Sequence, residues 1–476
     1  NFIFFLLVCA AAEKSNPDLT KSLDVPRNPP SDRSDDDFIA KDHSENSFTH
    51  KKLFPLNTWD KIGIISAIFG LLIAAGGGIG GGGILVPIYI LLLRFNPKHA
   101  IPLSNITIFG GAITNVLLNL SKRHPSADRP LVDWNIILVM EPLTIGGALI
   151  GSFVNKVLPE EILAVSLVVL LTYTAFRTIK KGRKIYKKET ERIQGKNKSQ
   201  LTELFEEEIC LGEYEEGISL ISMEKIENDD SFDENDVTLR KIIDEERKTP
   251  INKIFYLVGI FAVVLTINIL KGGGAFPSPL GISCGSSLFW AFTVFILIFI
   301  VIVSLHIRSL LIKEWKIKSE CGYKYIEGDV QWSPKSTVKY PSLCFFAGFF
   351  AGLFGVGGGI VKGPLMLEMD VLPKVASATS ACMILFTSFT ATTSFMVFGL
   401  LQTDYAVFLF AVGLVSTFFG QVAVTYLVEK FDRSSLIIIS IGSVVALSAV
   451  LMGGQSIYFL AFPRSQIKSG FCEAGE

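Results

Sequence analysis

The stretch Gly76–Pro87, GGGIGGGGILVP, lies inside a long apolar run, and a near copy, GVGGGIVKGP, returns at Gly355–Pro364. Each glycine lowers helix propensity by about 1 kcal/mol relative to alanine. A membrane helix therefore breaks at both places, and Ile84 and Ile360 are expected to open short helices just after the turns. Broken backbone at membrane depth is tolerated where protein or a water-lined cavity satisfies its polar groups. Two such breaks in corresponding positions of two halves point to a transport site.

Composition agrees with a membrane setting. The 476 residues are 49% hydrophobic and 19% charged, with a net charge of −1, against about 25% charged in a soluble domain. The charge is also segregated, and nothing in it supports a nucleic-acid partner. The start, NFIFFLLVCAAAEKS, reads over residues 1–12 as the core and cleavage region of a secretory signal peptide, with a short anchor as the alternative. Residues 13–58 then form a disordered segment outside the cytoplasm.

Apolar stretches of spanning character fall at about 60–75, 83–95, 101–121, 134–156, 161–179, 253–270, 286–312, 342–356, 360–371, 375–400, 404–428 and 434–453. Most approach the roughly 20 residues a bilayer needs, while those flanking the glycines are shorter. Lys and Arg in short loops set orientation. Lys122-Arg123, Lys180 through Lys188, Arg308 through Lys318, and Lys430 with Arg433 all fall inside in one topology. In that topology the first glycine hairpin starts outside and the second inside. The expected fold is thus all-α and polytopic, with about 10–12 membrane helices or half-helices in two inverted-topology repeats, each opening with a Gly-broken hairpin.

The repeats are 59–181 and 341–454. Between them lie a charged, largely disordered cytoplasmic loop (182–252), two linking helices (253–312) and a second cytoplasmic loop (313–340); residues 455–476 form a tail. Aligning Pro87 with Pro364 sets Gly80-Gly81-Gly82 on Gly357-Gly358-Gly359, and after one residue of slip Ser104 falls on Ser380. Gly147 and Gly151 match Ser416 and Gly420 as small-residue contacts for close helix packing.

GIGGGGILVP followed by PKHAIPLSN (Pro97–Asn105), and LFGVGGGIVKGP followed by PKVASATSA (Pro373–Ala381), resemble the TauE/SafE family of sulfite and organosulfonate exporters. The long loop between the halves resembles plant-type members. The resemblance implies transport of small, usually sulfur-containing anions; composition and spacing do not show the sulfur. The chain departs from the family pattern at Glu141, in a span where a neutral residue is usual, and at Lys362, where an apolar one is.

A helix N-terminus carries unpaired N–H groups and roughly half a positive charge, which makes it an anion site. Gly80, Gly81, Gly82, Gly83, Gly357, Gly358 and Gly359 are therefore candidates for holding the anion by backbone. Ser104, Asn105 and Thr107, with Ser377, Thr379 and Ser380 in the matching place, are candidate hydrogen-bonders; hydroxyls in membrane helices equally bond their own backbone. Lys362 is a candidate counter-charge and Glu141 a candidate carrier of a coupling proton or cation. Gln421 is a further polar candidate, Asn115 and Asn119 suit interhelical contacts, and Glu368 suits the interface.

The Gly78–Gly83 run formally fits GxGxxG, but a dinucleotide site needs a preceding strand, and an apolar helix precedes it. Seven Cys and five His show no ligand spacing, so neither a metal nor a cofactor is expected, and no enzyme nucleophile–base cluster is evident. Cys344 and Cys382 read as packing residues, and a Cys284–Cys472 disulfide stays open. The reading is a secondary transporter of small anions (sulfite, sulfate or organosulfonate if the resemblance holds), with a plasma-membrane or endomembrane location. The alternative is a non-transporting scaffold or receptor that signals through 182–252.

Overall fold

In the computed structural model the described residues are 53–75, 80–210, 234–272, 278–283, 285–326, 328–355, 357–431 and 435–461. The signal-peptide reading, most of the 13–58 segment, the 462–476 end of the tail, and both Cys284 and Cys472 lie outside them. The described chain is built of helices joined by loops: α1 (Thr58–Ala75), α2 (Gly82–Leu91), α3 (Pro97–Leu120), α4 (Trp134–Val157), α5 (Glu160–Cys210), α6 (Glu234–Arg247), α7 (Ile251–Lys271), α8 (Ser287–Glu320), α9 (Ser336–Phe354), α10 (Gly359–Glu368), α11 (Pro373–Val397), α12 (Thr403–Phe431) and α13 (Ser435–Ala461). Among the described residues nine helices are long and apolar enough to cross a membrane. Their outward faces carry exposed Phe69, Phe255, Ile302 and Phe419, as a lipid-facing surface requires. The protein is an all-α, multi-pass integral membrane protein.

Packing follows one scheme in both halves. α4 lies on α9 and α12 lies on α1; α3 lies on α12 and α11 on α4; α3 also meets α11, and α5 meets α13. Each pairing returns when the halves are exchanged. Small residues set the closest of them. A Cβ on Gly147 or Gly151 of α4 would collide with the carbonyl oxygens of Phe345 and Phe349 on α9. In return, one on Gly348 or Gly352 would strike those of Thr144 and Ala148. Residue numbers rise together along this contact, so α4 and α9 run parallel. α5 and α13 run antiparallel, with Gly182 against Ile439 and Gly442 against Ile179. Gly420 of α12 meets Leu72 and Ala75 of α1 in the same close manner.

Two boundaries differ from the sequence reading. The short helices start at Gly82 and Gly359 rather than at Ile84 and Ile360, because only the residues before them need the left-handed backbone. The charged segment after residue 182 is not structureless: α5 continues through it to Cys210, and α6 follows at Glu234. Lys, Glu and Gln there are good helix formers, which a reading based on charge alone overlooks.

Candidate functional site

The two glycine breaks have the same geometry. Gly81 (φ 76°, ψ −3°) and Gly358 (φ 71°, ψ −18°) are left-handed N-caps, a conformation that costs glycine little and other residues much. Ile84 and Leu85 donate to the Gly81 carbonyl at 2.9 and 3.0 Å; Val361 and Lys362 donate to that of Gly358 at 3.2 and 3.0 Å. Pro87 and Pro364 occupy the same place in α2 and α10.

The breaks also meet. A Cβ on Gly80 would lie 3.1 Å from Ile108 and 3.3 Å from Ile384; one on Gly357 would lie 3.0 and 3.7 Å from the same two side chains. Ile108 of α3 and Ile384 of α11 are counterparts in the register that sets Ser104 on Ser380. Both are buried, so an apolar pair separates the two tips. Beside Gly80 lies a cavity of about 10 Å³, lined by Leu71, Ala74, Gly111, Asn115, Ile384 and Thr417 among others, room for roughly one water. Asn115 is buried and its Oδ1 has no hydrogen-bond partner, so an amide faces this space with bonding capacity to spare.

The candidate hydroxyls divide. Ser104 donates to the Gly355 carbonyl at 2.9 Å, tying α3 to the second break. Thr107 donates to Leu103 O at 2.7 Å and lies 2.8 Å from the Tyr89 hydroxyl. Thr379 accepts from the Asp133 amide at 3.1 Å, at the point where Asp133 itself caps α4. Ser377 is part-buried and has a partner. Asn105 Oδ1 and Ser380 Oγ are buried without one, as is Gln421 Oε1. Glu368 pairs with Arg177 in half-exposed surroundings, away from the buried centre.

Glu141 and Lys362 are brought together. The Lys362 ammonium donates to Glu141 Oε2 at 3.0 Å and to Thr387 Oγ1 at 2.6 Å. Thr387 Oγ1 lies 2.7 Å from Glu141 Oε1 and 3.0 Å from the Met383 carbonyl. Glu141 is 0% and Lys362 1% exposed. Helical side chains lean toward the N-terminus, and the Lys362 stem does so: its Cε lies 3.4 Å from where a Gly358 Cβ would stand. The closed triangle therefore adjoins the second break. When the halves are exchanged, the counterparts of Lys362, Glu141 and Thr387 are Leu85, Phe410 and Gly111, all uncharged. Sequence reading singled out Glu141 and Lys362 but missed Thr387, Ile108, Ile384 and Thr417; the Ser104–Ser380 register was the available signal for the two isoleucines.

A larger cavity, about 890 Å³, opens among α6, α7, α8 and the 321–332 segment. Several of its charges pair with one another. Lys318 meets Glu246 at 2.6 Å and Glu314 at 3.4 Å, Lys253 meets Glu314 at 3.4 Å, and Arg129 meets Asp329. The Tyr323 hydroxyl donates to Glu246 at 2.7 Å, and burial followed by that bond raises its pKa. The contacts of Lys318 and Tyr323 with Glu246 dock α6 against the end of α8 and the segment that follows it.

Comparison with known proteins decides the family. The family model for the sulfite exporter TauE/SafE matches residues 62–212 and 240–452. The chain belongs to the TauE/SafE family. It is 29% identical over 409 residues to "Sulfite exporter TauE/SafE family protein 3" of Arabidopsis thaliana, covering 85% of this chain and 80% of that protein. Family protein 5 of the same plant is 28% identical over 382 residues, covering 80% and 79%. A shorter match, 32% over 119 residues, covering 25% of this chain and 40% of the relative, is to "Probable membrane transporter protein YunE" of Bacillus subtilis (strain 168). No solved structure matches the chain. TauE/SafE membership makes membrane transport its function class.

Proposed function

We propose that this TauE/SafE protein is a secondary transporter of small sulfur-containing oxyanions (sulfite, sulfate or an organosulfonate). It works by alternating exposure of a site between two inverted repeats. The observation that carries the reading is the meeting of both glycine breaks at Ile108 and Ile384. Two positively polarised helix ends converge there without a permanently exposed charge. The antiparallel course of α5 and α13, counterparts in the two halves, supports inversion. The cavity beside Gly80 is water-sized, so an oxyanion enters only when α3 and α11 part around the isoleucines. Asn115 and Thr417 then join the amides of the α2 first turn as ligands on the side of the first break, and Lys362 joins those of the α10 first turn on the side of the second.

The test is flux of radiolabelled sulfite, sulfate and taurine into proteoliposomes, with and without a pH gradient. Val at Gly81 or Gly358 forces a β-branched residue into a left-handed position. Either variant should insert normally and lose at least tenfold in flux. Normal flux in both would refute the anion seat. A scaffold acting through 182–252 would show no flux in the wild type.

A further inference from the structure

We propose that Glu141 is a tethered stand-in for the transported anion at the second break, and that proton and anion binding are thereby coupled one to one. The inference rests on the transport reading above and adds to it the coupling ion and the charge class of the substrate. Lys362 has two partners in the structure, Glu141 and Thr387. Both sit on neighbouring helices, α4 and α11, not on its own. A buried ammonium tolerates no empty partner position. An incoming anion can therefore take Lys362 only if Glu141 gives it up.

Protonation provides the exchange. A proton from water bonds to a Glu141 carboxylate oxygen, and the resulting acid becomes a hydrogen-bond donor. Thr387 Oγ1 then turns its single proton from Glu141 toward the Met383 carbonyl, 3.0 Å away. Lys362, now without a counter-charge, and the Glu141 O–H both face the anion. The empty site holds one carboxylate and one ammonium; the loaded site holds a neutral acid, one ammonium and one anion. Net charge is zero in both states when the anion is singly charged. A divalent anion leaves the loaded site negative in a low-dielectric interior, which disfavours it. The substrate class is thus a monovalent oxyanion, a sulfonate or hydrogen-sulfite-like species, moving with one proton.

Glu141 is the carboxylate of the triangle. Lys362 is the charged group acting on it among the described residues. From α9 and α11 the titratable groups facing the pair are the Cys344 and Cys382 thiols. The first break has no second such device, since Leu85, Phe410 and Gly111 stand in the corresponding positions when the halves are exchanged.

The experiment is equilibrium binding of radiolabelled methanesulfonate and sulfate to the purified full chain between about pH 5 and pH 8, with flux measured in parallel. Wild type should bind methanesulfonate about tenfold more tightly per unit fall in pH, the slope for one linked proton, and prefer it to sulfate. Glu141→Gln keeps the shape but cannot ionise. It should bind methanesulfonate at every pH as tightly as acidic wild type, with flux no longer driven by a pH gradient. The double variant Glu141→Gln with Lys362→Met removes both charges, guards against a folding failure of the single one, and should lose this binding at every pH. An unchanged pH slope in Glu141→Gln, or undiminished binding in the double variant, overturns the coupling while leaving transport intact. Absence of any anion flux or binding in wild type overturns the transport reading instead.

Discussion

Single residues differ in how openly they declare their roles. Glu141 and Lys362 stand out in sequence because ionisable groups are costly within spans, yet their pairing joins α4 to α10 across more than two hundred positions of chain. No local pattern encodes such a contact. Ser104 shows the opposite case: its position was legible from the repeat, but its bond to Gly355 O makes it a fastener between the halves. Ser104→Ala leaves that buried carbonyl short of a partner and should lower stability by about 1–3 kcal/mol, read as an earlier thermal transition in detergent. Flux per folded molecule should be retained. Asn115, which sequence reading assigned to interhelical contact, lines the cavity and has a buried oxygen without a hydrogen-bond partner.

At the level of elements, apolar length and glycine clusters were sufficient to locate the spans and both short helices. They could not show that α5 persists to Cys210, because hydropathy reports where a helix meets lipid and not where it ends. Nor did they show that Gly147 and Gly151 interlock with Gly348 and Gly352, which needs knowledge of the partner. Val at Gly147 would drive α4 off α9 against rigid backbone; the protein should aggregate or resist extraction as a monodisperse species. Val at Gly363, where an added Cβ meets nothing within 4 Å, should remain monodisperse. Size-exclusion profiles of the two variants decide the point, and equal behaviour would show that the close approach is not what holds this pair.

For the molecule as a whole, the repeat was visible in sequence as matching Gly, Pro and Ser positions, but the way the halves fit was not. Each half lays its own helices on those of the other: α4 finds its closest neighbour in α9, and α1 finds α12. Neither half owns a complete core. This interleaving also places the ion triangle beside one break and a water-sized void beside the other, so an outwardly symmetric frame holds two chemically unlike pockets.

That braid has a consequence for biogenesis. As the ribosome delivers the chain, the glycine notch on α4 must wait in the lipid for a mate that is synthesised nearly two hundred residues later. A gene cut within the segment encoding 211–233 should yield two fragments that are each degraded when made alone, yet stabilise one another and restore transport when made together. Survival of either fragment by itself would mean that the halves are self-sufficient lodgers rather than strands of one weave.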